Sequence, residues 1–75
     1  ANAGVYRVQA GAFANRDNAE RAVAMLGQAV IEPTTRDGVE IYRVILGPAA
    51  DEPAAWALRD LAASQGFVDA RVLRP

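Results

Sequence analysis

The sequence predicts an α+β domain in which a four-stranded antiparallel sheet carries two helices on one face. An internal repeat is the first observation behind this prediction, because residues 5–26 align with residues 41–62 and "VYRV" lies over "IYRV". Each copy starts with a run typical of a strand and continues with apolar residues at helical spacing. The second observation is Asp37-Gly38, a strong hairpin signal between two strand-like runs.

Composition limits the classes of function. The 75 residues suffice for one domain, which we expect to span residues 5–75 after a linker remnant at residues 1–4. Because the chain has no Cys and no His, we expect no metal and no cofactor. A net charge of −1 argues against non-specific nucleic-acid binding. No apolar run reaches about 20 residues, so this domain should not insert into a membrane. We also expect the domain to be a monomer.

The first repeat unit predicts a strand, a glycine turn and a helix. The strand is "VYRVQAGAF" at residues 5–13, and Gly11 marks the turn. Asn15 or Asp17 should cap the helix, and Gly27 should end it. The apolar stripe of this helix consists of Ala19, Ala22, Val23 and Leu26.

The hairpin follows the first helix. A turn at Asp37-Gly38 fixes the register of the second and third strands. Pro33 cannot donate to a ladder, so the second strand should lie at a sheet edge. Glu32 and Arg43 could form a cross-strand ion pair. The predicted partners are Thr34 with Ile41, Glu32 with Arg43 and Val30 with Ile45.

The second repeat unit completes the fold. Its strand, "IYRVILGPA", runs to a turn at Gly47, and Asp51 should cap a helix that has Pro53 in its first turn and ends at Gly66. "FVDARVL" at residues 67–73 supplies a fourth strand. The order is β-α-β-β-α-β, as in ferredoxin-like and RNP-like domains. The buried stripe of the second helix should consist of Ala55, Leu58, Leu61 and Ala62.

Side-chain alternation assigns the two faces of the sheet. The uncharged face should lie under the helices, with a core of Tyr6, Val8, Tyr42, Val44, Leu26, Leu58 and Leu61. The other face should carry Arg7, Gln9 and Arg43 beside the apolar Val5, Ile41 and Ile45. In the fourth strand, Val68, Ala70 and Val72 should point inward, and Asp69 and Arg71 outward.

This mixed face has two interpretations. A sheet can simply present one polar side to water. Alternatively, planar hydrogen-bonding groups beside apolar surface suit a sugar, which offers hydroxyls at its rim and C–H groups on its faces. Trp56, on the second helix, is expected to pack at the helix edge, and Phe13 to anchor the core.

Two motifs carry a resemblance to a known family. "VQAGAFANRDNAERA" at residues 8–22 and "YRVILGP" at residues 42–48 resemble the opening strand and the Y-R-V-x-x-G-P element of the SPOR domain. The resemblance covers nearly the whole chain and implies a non-catalytic module of the bacterial periplasm. Such modules bind denuded peptidoglycan glycans, which lack stem peptides, and direct the parent protein to the division septum.

The family's ligand lies across the open sheet face, so the resemblance implies contacts from Gln9, Gly11, Ala12 and Ile41. Two departures stand out: Ala49 replaces an aromatic residue, and no Trp or Tyr is expected on the open face. Together with the residues that alternation places there, the predicted glycan-binding set is Arg7, Gln9, Gly11, Ala12, Ile41, Arg43 and Arg71.

Two rival functions share the element order. An RNA-recognition domain needs aromatic residues on its central strands, where this chain has Arg7, Gln9 and Arg43. An acylphosphatase-like enzyme has an R-V-Q-G-V-x-F-R phosphate loop, which "RVQAGAF" faintly resembles. Here Ala10 breaks the spacing, and Ala14 stands where the final arginine should be.

Overall fold

The computed structural model describes residues 5–75, so the predicted linker remnant at residues 1–4 lies outside the described residues. The predicted β-α-β-β-α-β order is confirmed. Between residues 5 and 75, no helix is both long and apolar enough to cross a membrane. The elements are β1 (Tyr6–Phe13), α1 (Arg16–Leu26), β2 (Ala29–Arg36), β3 (Val39–Ala49), α2 (Glu52–Ser64) and β4 (Arg71–Leu73).

The four strands form one antiparallel sheet in the order β2-β3-β1-β4. The edge position of β2 and the hairpin register are confirmed, because Thr34 pairs with Ile41 and Glu32 with Arg43. The turn residues Asp37 and Gly38 have φ angles of 53° and 78°, the left-handed conformation that a tight two-residue hairpin requires.

Side-chain caps fix where the two helices begin. Asn15 Oδ1 accepts hydrogen bonds from the backbone N–H groups of Asp17 (2.8 Å) and Asn18 (3.2 Å). Asp51 Oδ1 accepts from the N–H of Ala54 at 2.9 Å. Each cap satisfies donors that have no partner within the helix, so the predicted starts of both helices are confirmed.

The core lies between the sheet and the helices. Val8 and Val44 are fully buried at its centre, and small residues let both helices lie close to the sheet. One core prediction is wrong: Leu61 is 51% exposed, because Ala55, Leu58 and Ala62 already form the stripe that faces the sheet. The buried helix residues are Ala19, Ala22, Ala55 and Ala62.

The fourth strand is shorter than predicted. Residues 68–69 form a turn in which the N–H of Ala70 donates to the carbonyl of Phe67 at 3.0 Å. Arg59 Nε donates to the Ala70 carbonyl at 2.9 Å. These bonds use backbone groups that could otherwise pair with β1. Ala70 is buried as predicted, but Val68 is 70% exposed, so its inward assignment is wrong.

Candidate functional site

A bulge in β1 determines which side chains reach the open face of the sheet. Gln9 pairs with Ile45, Gly11 with Val44 and Ala12 with Arg43, so Ala10 is the extra residue without a partner in β3. The extra residue shifts the alternation and brings Gln9 and Ala12 to the same face. Gly11 therefore lies within a strand, and the predicted glycine turn is wrong.

Gly47 also lies inside a strand, so the turn predicted there is wrong as well. The register shifts between Tyr6 and Val8, opposite the segment of β3 that contains Gly47. Gly47 has a φ of 115°, and an added Cβ would lie 3.3 Å from the backbone oxygen of Tyr6. Only glycine adopts this conformation without strain, which gives a structural reason for the glycine of the Y-R-V-x-x-G-P element.

The open face holds a groove of about 560 Å³ that is lined by residues of β1, β2, β3 and β4. Five of the seven predicted binding residues line it: Gln9, Ala12, Ile41, Arg43 and Arg71. Its size falls within the usual range for sites that bind small organic ligands. The remaining lining residues are Thr34, Thr35 and Arg36, all from β2.

Gln9 and Arg43 act as a unit in this groove. Arg43 Nε donates a hydrogen bond to Gln9 Oε1 at 2.8 Å, and both side chains are half-buried. The bond orients the guanidinium and occupies one acceptor position of the amide. What remains for a ligand is the Gln9 amide NH₂, a second lone pair on its oxygen, and the terminal N–H groups of Arg43.

Arg7 lies outside the groove. Its Nη1 donates to Glu32 Oε2 at 2.5 Å. The expected Glu32–Arg43 ion pair is therefore wrong, because Arg7 reaches across β3 to Glu32 while Arg43 turns to Gln9. Ile45 lies on this part of the open face and is only 3% exposed, so it offers no apolar surface to a ligand.

Gly11 does not line the groove either. A Cβ at this position would lie 3.1 Å from Cε2 of Phe13. The glycine thus lets the Phe13 ring pack closely, and the predicted contact of Phe13 with the core is confirmed. Gly11 lines a separate depression with the segment 66–69, and its proposed contact with a ligand stays a prediction.

Sequence reasoning missed the contribution of β2. The signal was available for Thr34, because the hairpin register placed it opposite Ile41 on the open face. Arg36 lies two residues further along and shares that face by alternation. Trp56 is 45% exposed on α2, where its Nε1 donates to Glu52 Oε2 at 3.3 Å, and it does not line the groove.

The groove offers hydrogen-bond donors and positive charge. Its charged lining groups are the guanidiniums of Arg36, Arg43 and Arg71, and within residues 5–75 no Asp or Glu lines it. Thr34 and Thr35 add hydroxyls, which donate and accept, and Ile41 adds apolar surface. Such a lining can bind a polar or anionic ligand but contains no evident general base.

The fold and this groove define a small binding domain with its candidate site on an open sheet face. The model of the SPOR domain family matches residues 2–73, and the chain belongs to this family. A search of curated proteins found no match.

Two solved structures are similar over almost the whole chain. The SPOR domain of RlpA from Pseudomonas aeruginosa is 28% identical with a TM-score of 0.80, covering 96% of this chain and 100% of that one. The peptidoglycan-binding domain of the Bacillus subtilis cell wall lytic enzyme CwlC is 29% identical with a TM-score of 0.70, covering 97% of this chain and 91% of that one. Both likenesses agree with the family assignment.

Proposed function

We propose that this domain is a non-catalytic module that binds peptidoglycan and recognises denuded glycan strands. The observation that carries the proposal is the similarity to CwlC, whose matching domain is described as peptidoglycan-binding, over 97% of this chain. The groove on the open face supplies a site of suitable chemistry. By this account the domain works in the bacterial periplasm as a monomer and directs its parent protein to the division septum.

The groove suits a sugar chain because it combines oriented donors with apolar surface. The Gln9–Arg43 pair holds several N–H groups in one place, and Thr34 adds a hydroxyl across the groove. Sugar hydroxyls can donate and accept, so they can satisfy both kinds of group. Ile41 is half-buried beside them and can contact the C–H face of a sugar ring.

The position of the groove on the sheet supports the proposed preference for denuded strands. In intact peptidoglycan, a stem peptide extends from the lactyl group of each muramic acid. A strand bound across the open face would direct such a peptide against the sheet or against the segment between β1 and α1. Amidases remove these peptides at the septum, which would concentrate ligand there.

Co-sedimentation with purified sacculi tests the proposal. Amidase-treated sacculi should retain the domain, and untreated sacculi should retain much less. Gln9→Ala should reduce retention, whereas Gln28→Ala, at an exposed glutamine between α1 and β2, should not. Equal retention on both preparations would overturn the preference for denuded strands, and no retention on either would overturn peptidoglycan binding.

A further inference from the structure

The arginines of this chain are divided between two environments. The chain has eight arginines and no lysine. Four of them form ion pairs with carboxylates, and Arg21 donates to the Asn18 amide oxygen at 3.0 Å. In the described part of the chain, the three that remain form no ion pair, and all of them line the open-face groove. They are Arg36, Arg43 and Arg71.

This distribution gives the groove a positive charge on a protein whose net charge is −1. Like charges gathered in one depression repel each other and destabilise the folded state. Neutral side chains could satisfy sugar hydroxyls without that cost. Within residues 5–75, three guanidiniums line the groove and no carboxylate does. This excess of positive charge indicates an anionic partner.

One guanidinium is held in place by a neighbouring side chain. Arg43 uses Nε to bind Gln9, which leaves the N–H groups of its two terminal nitrogens for other partners. Two N–H groups of one guanidinium can bind both oxygens of a carboxylate in a fork geometry. Arg71 lies on the opposite side of Gln9, since β4 pairs it with that residue, and is exposed.

We infer that the groove binds the free lactyl carboxylate of muramic acid in a denuded strand. This inference rests on the proposed function. A stem peptide is attached to the lactyl group through an amide, which is neutral. Amidase hydrolysis breaks the C–N bond, water supplies the hydroxyl of the new acid, the peptide leaves as the amine, and the acid loses its proton at neutral pH. Removal of the peptide thus creates the anion, and the groove selects denuded strands by charge as well as by shape.

Chemical neutralisation of the lactyl carboxyl group distinguishes the effect of the ligand's charge on affinity from the effect of its shape. Soluble strands digested exhaustively by amidase are divided, and one portion is converted to lactyl methylamides with carbodiimide and methylamine. A methylamide is far smaller than a stem peptide but carries no charge. Calorimetric titration should give about ten- to hundredfold weaker binding of the methylamide strands, the usual loss for a charge-assisted hydrogen bond.

The two hypotheses fail in different ways in this experiment. Equal affinity for the carboxylate and methylamide strands would overturn the carboxylate site and leave glycan binding intact. Binding of neither strand would overturn the proposed function itself. Raising the salt concentration should weaken binding of the carboxylate strands more than that of the methylamide strands, because screening acts on the charge.

Arginine variants locate the effect in the groove. Arg71→Gln removes one charge at an exposed position that has no ion pair within residues 5–75, so the domain should stay folded. It should weaken binding of the carboxylate strand and leave the methylamide strand nearly unchanged. Arg21→Gln, on α1, is the matched control and should alter neither affinity. Equal weakening of both strands by Arg71→Gln would contradict the assignment of the carboxylate to this groove.

Discussion

Replacing Gln9 by alanine should separate binding from folding, because its amide lies in the groove and holds Arg43. The substitution removes the oxygen that accepts from Arg43 Nε at 2.8 Å, together with the NH₂ group left for a ligand. A ligand hydroxyl then lacks a partner in a partly desolvated site, at a cost of about 1–3 kcal/mol. The affinity for denuded strands should therefore fall by about five- to more than hundredfold.

The structure also predicts a small loss of stability. From the sequence alone, Gln9 is an open-face residue without a partner, and its truncation should be nearly neutral. Its bond to the half-buried Arg43 changes this expectation. Losing one hydrogen bond costs about 1 kcal/mol, which lowers the Tm by about 4–8 °C in a domain of this size.

Calorimetric titration with denuded strands, together with thermal melting, measures both effects on one sample. Gln28→Ala is the matched control, since it removes the same group from an exposed position outside the groove, and it should leave affinity and Tm unchanged. A folded Gln9→Ala domain with wild-type affinity would refute the reasoning that places the ligand on Gln9 and Arg43.

Three further predictions concern the scaffold and are read by thermal or urea unfolding. Leu58→Ala should cost about 2 kcal/mol because Leu58 packs against the core, whereas Leu61→Ala, at a side chain 51% exposed, should change stability by less than about 0.5 kcal/mol; equal losses would contradict the placement of α2. Gly47→Ala should lower the free energy of unfolding by about 1–3 kcal/mol because the φ angle of Gly47 is 115°, and an unchanged Tm would contradict this backbone conformation. Arg59→Ala should cost about 1–3 kcal/mol by removing the donor to the buried Ala70 carbonyl, and wild-type stability would show that this bond is dispensable.

Most of the fold could be predicted from local signals. The Asp37-Gly38 turn fixed one register, and the caps Asn15 and Asp51 fixed where the helices begin. Two of the errors arose where the chain departs from a regular period. The bulge at Ala10 and Gly11 arises in the pairing of β1 with β3, and Arg59 of α2 donates to the carbonyls of Val68 and Ala70 around the turn at residues 68–69. Local periodicity cannot reveal either contact.

The candidate site was predicted less completely. Alternation placed Gln9 and Arg43 on the open face, and the structure joins them by a hydrogen bond. Side-chain alternation could not show which acidic group each arginine would pair with, because the pairing depends on how far long side chains extend across a strand. Glu32 was within reach of both Arg7 and Arg43, and the structure pairs it with Arg7.

Mapping the bound glycan by nuclear magnetic resonance tests the central claim most directly. Backbone and side-chain amide signals of the ¹⁵N-labelled domain are followed while denuded strands are added. We expect the largest shifts in the groove, at Gln9, Ala12, Ile41, Arg43 and Arg71, while signals from the outer faces of α1 and α2 stay in place. Shifts centred on the helices, with the groove signals unmoved, would contradict it.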